Sequence, residues 1–151
     1  MKNPDTEGSA TVASTDSFRA KPSKRWLYIG NYKDELELVA EEEMCDVLCV
    51  TEHWKDSEQL KDYRLCNYYL ASYFCRSKVE HGDSAVFIKN GIEYIRCDDI
   101  VRLSVTNVLE CSVAEFSVNK NRLIILSVYS LNNDIKYFFV ILETILLRGH
   151  P

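Results

Sequence analysis

No apolar run among the 151 residues is long enough to span a bilayer, which takes about 20 residues. The opening stretch, MKNPDTEGSATVASTDSF, holds no hydrophobic segment of the kind a secretory signal needs. Positive charge is in deficit: 18 Lys and Arg stand against 23 Asp and Glu, a formal net charge of −5. That argues against tight non-specific DNA binding by charge alone. An enzyme that brings metal ions to a phosphate is not excluded, because the ions supply positive charge locally. None of the six cysteines, at 45, 49, 66, 75, 97 and 111, forms a CxxC pair, and several lie in apolar alternating segments. They are expected to be reduced, mostly buried thiols, with no disulfide and no zinc. The expected setting is intracellular, nuclear or cytoplasmic, and away from membranes.

What remains is an ordinary globular composition, 46% hydrophobic and 27% charged, in a chain long enough for one domain with a real core. Residues 1–24 are small and polar, so they are expected to form a disordered tail. Its closing KPSKR is solvated charge or, alternatively, a nuclear-targeting cluster. RWLYIGN (25–31) reads as a short buried strand ending on Asn31. KDELELVAEEEM (33–44) reads as a helix, with Leu36, Val39 and Ala40 at helical spacing. CDVLCVT (45–51) reads as a strand that is apolar on both faces. Strand, helix and strand in so short a span predict a βαβ unit with parallel strands.

Beyond EHWKDSEQLKD the chain turns β-rich. YRLCNYYLASYFC (63–75), SAVFIKN (84–90), IEYIRC (92–97), VLECSVAEFSV (108–118) and RLIILSVYS (122–130) carry β-branched and aromatic residues. NGI at 90–92 and NKN at 119–121 mark turns. NNDIKYFFVILETILL (132–147) predicts a terminal amphipathic helix capped by Asn132, Asn133 or Asp134. The fold class is α/β: a βαβ start, then antiparallel strands, then a C-terminal helix. That helix is so apolar that it calls for more sheet to cover, or for a partner.

Chemistry belongs at the strand ends, where side chains leave the core. Glu52 follows the strand 45–51, Asn31 ends the strand before it, and Tyr129 and Asn132 end and follow RLIILSVYS. If these ends converge, a carboxylate, a phenol and two amides share one rim. Oxygen ligands of that kind suit a hard divalent cation and a phosphate. Each residue also has an ordinary reading: Glu52 a solvated loop residue, Asn31 a turn, Asn132 a helix cap, Tyr129 half core. His53 beside Glu52 reads as a surface histidine before a ligand, and Trp54 as a lid over the core.

Taken together, CDVLCVTEHW, GDSAVFIKNGIEY and LIILSVYSLNND resemble the endonuclease/exonuclease/phosphatase superfamily, with its DNase I-like α/β sandwich. The nearest likeness is the endonuclease domain that precedes reverse transcriptase in non-LTR retrotransposons. Its D(I/V)(I/L)xLTEtW segment is matched by residues 46–54, and its GGVAIFVKNGI hairpin by residues 82–92, with Asp83 and Ser84 where the family tends to have Gly. Its vYxPN segment is matched by Tyr129, Ser130, Leu131 and Asn132.

The resemblance spans residues 25–148 and only about the first half of the family domain, so 25–151 reads as a truncated domain of that type. It implies Mg²⁺ or Mn²⁺ at Glu52 and Asn31, Tyr129 and Asn132 at the scissile phosphate, and DNA as partner. Two departures stand against full activity. IGNYKDEL is shorter than the family's loop, so Asn31 matches the metal-site Asn only if residues have been lost. The GDFN and SDH segments, with the family's general base and catalytic His, do not occur. The expectation is a diverged endonuclease-type domain, inactive as this chain. The alternatives are a half-enzyme completed by another segment docking on the last helix, and a non-catalytic α/β binding or structural domain.

Overall fold

The computed structural model describes residues 9–14, 19–26, 33–77, 82–118, 120–131 and 134–149. Its elements are β1 (Ser9–Ser14), β2 (Arg19–Trp26), α1 (Lys33–Glu42), β3 (Val47–Thr51), α2 (Ser57–Asp62), β4 (Tyr68–Phe74), β5 (Ser84–Lys89), β6 (Tyr94–Arg96), α3 (Asp98–Val101), β7 (Glu110–Val118), β8 (Asn121–Tyr129) and α4 (Ile135–Gly149). The protein is a mixed α/β fold with two antiparallel sheets. The five-stranded sheet has the order β2-β1-β3-β5-β4 and the three-stranded sheet the order β6-β7-β8.

Three apolar clusters define the layers. Leu36, Val39 and Ala40 of α1 and Leu60 of α2 pack with Leu48, Val50 and Phe87 on the outer face of the larger sheet. Val47, Val86, Ile88, Ala114 and Phe116 fill the space between the sheets. Ile141 and Ile145 of α4 pack with Ile100, Cys111 and Val113 on the outer face of the smaller sheet. The order is helix, sheet, sheet, helix. Strand β3 is covered on both faces, as its unbroken apolar run requires. On α1 the buried positions are those at helical spacing.

The segment expected as a disordered tail departs from that reading. Residues 9–14 and 19–26 pair as strands, and β1 pairs antiparallel with β3 from Ala10↔Val50 to Ala13↔Val47. The physical reason is that β3 would otherwise present an open row of amides and carbonyls, which a polar strand can satisfy through its backbone alone. The expected βαβ unit is altered accordingly. Strands β2 and β3 run in the same direction, each antiparallel to β1, but β1 lies between them. The expected strand at 25–31 overlaps β2 only through Arg25 and Trp26, and residues 27–32, with Asn31, lie outside the described residues.

Two short helices, α2 and α3, fall where no element is expected. Helix α2 carries a local signal: Asp56 accepts from Glu58 N and Gln59 N at 2.9 and 2.8 Å, and Gln59 returns a bond to Asp56 N. This is a capping box with aspartate as the cap. At α4, Asp134 of the three cap candidates accepts from Tyr137 N at 3.1 Å. The outer face of α4 leaves Phe139, Val140, Leu146 and Leu147 more than half exposed. Among the described residues no helix is long and apolar enough to cross a membrane.

Candidate functional site

The layer between the sheets changes character along its length. On β7 the inward positions run Phe116, Ala114, Ser112, Glu110, and on β8 opposite them Leu123, Ile125, Ser127, Tyr129. On β5 they run Ile88, Val86, Ser84, and on β3 Val47, Cys49, Thr51. All four strands pass from apolar to small and polar toward the same end, and β7 and β8 finish there on a carboxylate and a phenol. That end is the rim on which Glu52 lies.

The backbone at the rim is bent by residues in the left-handed region. Glu52 has φ 56°, Trp54 52° and Asp83 79°. Such conformations cost non-glycine residues about 1–2 kcal/mol each, and they cluster at functional sites. The turn at Glu52 is held by its amide, which donates to Asp83 O at 3.0 Å. Asp83 stands where the resembled family tends to have glycine, and its φ is one that glycine adopts without strain.

This turn brings Glu52, at the end of β3, to Tyr129, at the end of β8. The Tyr129 hydroxyl donates to Glu52 Oε1. Burial is the main cause that raises the Tyr129 pKa, and the bond to Glu52 adds to it, so the phenol remains a donor. Glu52 is itself only 5% exposed. Of the four expected site residues, the structure therefore brings two together. Asn31 and Asn132 lie outside the described residues.

Beneath this pair lies a network that the sequence reading missed. Arg76 Nε donates to Glu110 Oε1 at 2.7 Å, with a terminal nitrogen at the same distance. Glu110 also accepts from Asp83 N and Asn107 N, both at 2.8 Å. Asp83 Oδ1 accepts from Arg76 N at 2.6 Å. The Arg76 guanidinium lies 5.9 Å from the Tyr129 ring centroid. Gly82 makes room for it: a Cβ there would fall 2.2 Å from the Arg76 guanidinium carbon, and the Gly82 φ is +104°. One signal was present in the sequence, a carboxylate, Glu110, inside the apolar segment VLECSVAEF, which also holds Glu115. Arg76 follows a strand end without any distinguishing pattern.

His53 is not the surface residue expected but fully buried. Its Nδ1 accepts from Lys55 N at 3.3 Å and its Nε2 lies 3.3 Å from Phe74 O. The neutral ring with its proton on Nε2 satisfies both contacts. Burial pulls its pKa down to about 4, and Nδ1 stays 4.0 Å from Asp83 Oδ2, so at neutral pH this is no ion pair. Burial pushes Asp83 up to about 6, against the Arg76 amide bond and charge. His53 is thus a locked structural group, not a poised base.

The donor set can be weighed against the divalent ion that the resemblance implies. Glu110 is saturated by Arg76 and two amides, Asp83 faces Arg76 N and His53, and Glu52 already accepts from Tyr129. Among the described residues no group of three His, Cys, Asp or Glu is placed to hold a metal ion. A single carboxylate does not make a Mg²⁺ site, which favours near-octahedral oxygen ligation. The described residues alone do not fit the ion. All six thiols are free, and burial pushes Cys49 and Cys75 up to about 12, which suits thiols acting as small hydrophobes. No family model, curated protein or solved structure matches this chain.

Proposed function

We propose that this chain is a diverged endonuclease-type domain of DNase I-like architecture, related to those of retrotransposons, and that it does not cleave DNA by itself. The observation that carries this reading is the meeting of Glu52 and Tyr129, from strands of different sheets, at one rim. Those are the positions at which the resembled family holds its metal and its phosphate. The helix–sheet–sheet–helix layering supports the same reading. The absence of catalysis follows from the chemistry of the rim. Phosphodiester hydrolysis needs a charge held on the phosphate, an oriented water and stabilisation of the transferring oxygens. The rim offers one carboxylate already engaged by a phenol, and a histidine whose ring is buried and hydrogen-bonded on both nitrogens. DNA is the ancestral partner this reading implies, and Mg²⁺ or Mn²⁺ the ancestral cofactor.

The second reading is a half-enzyme completed by a further segment. It draws on the exposed Phe139, Val140, Leu146 and Leu147 of α4, an apolar face of the kind that partners cover. Plasmid nicking by the purified chain with Mg²⁺ or Mn²⁺, beside a Glu52→Ala control, tests the proposal. Equal background in both is expected. Nicking that Glu52→Ala abolishes would overturn it.

A further inference from the structure

A second surface, away from the rim, has its own chemistry. Strand β4 is one edge of the larger sheet and β6 one edge of the smaller, and these two edges lie side by side. Between them runs a groove of about 630 Å³. Five of the nine tyrosines in the chain line it: Tyr63, Tyr68, Tyr69, Tyr73 and Tyr94. Three cations join them, Lys61, Arg64 and Arg96, and no carboxylate does among the described lining residues. In a chain of net charge −5 that is a local reversal of sign.

We propose that this groove binds single-stranded nucleic acid, with a base stacked on the exposed Tyr69 ring beside its half-buried tyrosine neighbours and phosphates on Lys61 and Arg64. Aromatic rings beside a cationic track are what a sequence-tolerant single-strand site requires, because every base has a face to stack. Tyr69 offers the most open ring, at 56% exposed. Arg96 already lies 5.8 Å from the Tyr73 ring centroid, which shows how a flat cation seats on this wall. Arg96 is also paired with Asp98 at 3.2 Å, so Lys61 and Arg64 carry the phosphates. The groove continues past Tyr69 and Tyr94 into a second hollow of about 680 Å³, where Glu93 and Glu115 appear. Those carboxylates repel phosphate, so the strand is confined to the tyrosine-rich part. A duplex buries its base faces and offers the tyrosines nothing to stack on.

The test is fluorescence anisotropy of a labelled twelve-residue oligothymidylate with the full chain at low salt in EDTA. EDTA removes any role for a divalent ion, so failure here and failure of the rim reading are separate results. Saturable binding is expected. Tyr69→Ala should weaken it about 10-fold or more, and Tyr69→Phe should retain it. Lys61→Ala with Arg64→Ala should lower the slope of log affinity against log salt by about 1.4, at about 0.7 per phosphate. The proposal is overturned by no binding, by binding that Tyr69→Ala leaves unchanged in a folded protein, by equal competition from polyphosphate, or by a preference for a proline-rich peptide over the oligonucleotide.

Discussion

Replacing Glu110 with alanine should be the most damaging single change at the rim. Both its oxygens are spoken for, by two nitrogens of Arg76 and by the amides of Asp83 and Asn107, and its side chain is 0% exposed. Its partner Arg76 is also buried, with 2% of its side chain exposed. Truncation leaves a buried guanidinium without a counter-charge, which costs about 3–5 kcal/mol. Each orphaned amide adds about 1–3 kcal/mol unless water reaches it. The loss of about 5 kcal/mol or more rivals the whole stability of a typical domain, about 5–15 kcal/mol. Glu110→Gln keeps the shape and one acceptor and should cost less, about 3 kcal/mol, because the charge is what it removes. Arg76→Met with Glu110→Leu removes the stranded charge and should recover roughly that amount relative to Glu110→Ala, leaving the amides as the residual deficit. Urea denaturation followed by far-UV circular dichroism reads these as shifts in midpoint at constant slope. A Glu110→Ala cost below about 1 kcal/mol would refute the argument, since it would mean that the network is solvated, not buried.

Other perturbations have definite signs. His53, depressed to about 4 from 6.5, makes the fold lose stability as pH falls through that window, because the unfolded chain binds the proton first. Asp83, raised to about 6 from 3.8, does the opposite, losing stability as pH rises from 3.8 to 6. The two nearly offset, so stability should be close to flat between about pH 4 and 6.5. Asp83→Asn should expose the His53 dependence alone, a loss of about 3 kcal/mol from pH 6.5 to 4 by thermal or urea unfolding; a profile as flat as the parent's would count against it. Gly82→Ala should lower the melting temperature and displace the Arg76 guanidinium, because the added Cβ meets it at 2.2 Å on a φ of +104°; an unchanged melting temperature would show that the guanidinium sits elsewhere. With a thiol reagent under native conditions, Cys66, the exposed thiol, should react ahead of Cys45, Cys49 and Cys75, whose pKa values burial raises to between about 11 and 12. Rapid labelling of several cysteines would contradict the burial.

Much of this architecture was legible in the chain. The apolar run of β3, the periodic face of α1 and the alternation of β5, β7 and β8 all record how each segment is covered, and burial is what hydrophobic patterning encodes. The strand-end rule pointed to Glu52 and Tyr129 for the same reason. Strands β1 and β2 were not legible, because a polar segment can join a sheet through its backbone and leave no side-chain signature. Helix α2 was missed although Asp56 and Gln59 signal its cap. The Arg76–Glu110–Asp83 network was hidden because its members are separated by 7 and 27 residues and meet only in the folded state.

The end of β3 and the end of β8 meet at one rim, through Tyr129 and Glu52, 77 residues apart. A double-mutant cycle in urea tests that contact directly, using Glu52→Ala, Tyr129→Phe and the pair. A hydrogen bond to a charged group predicts a coupling of about 1.5–3 kcal/mol. Effects that simply add, to within about 0.3–0.5 kcal/mol, would show that the two side chains do not touch and would contradict the account.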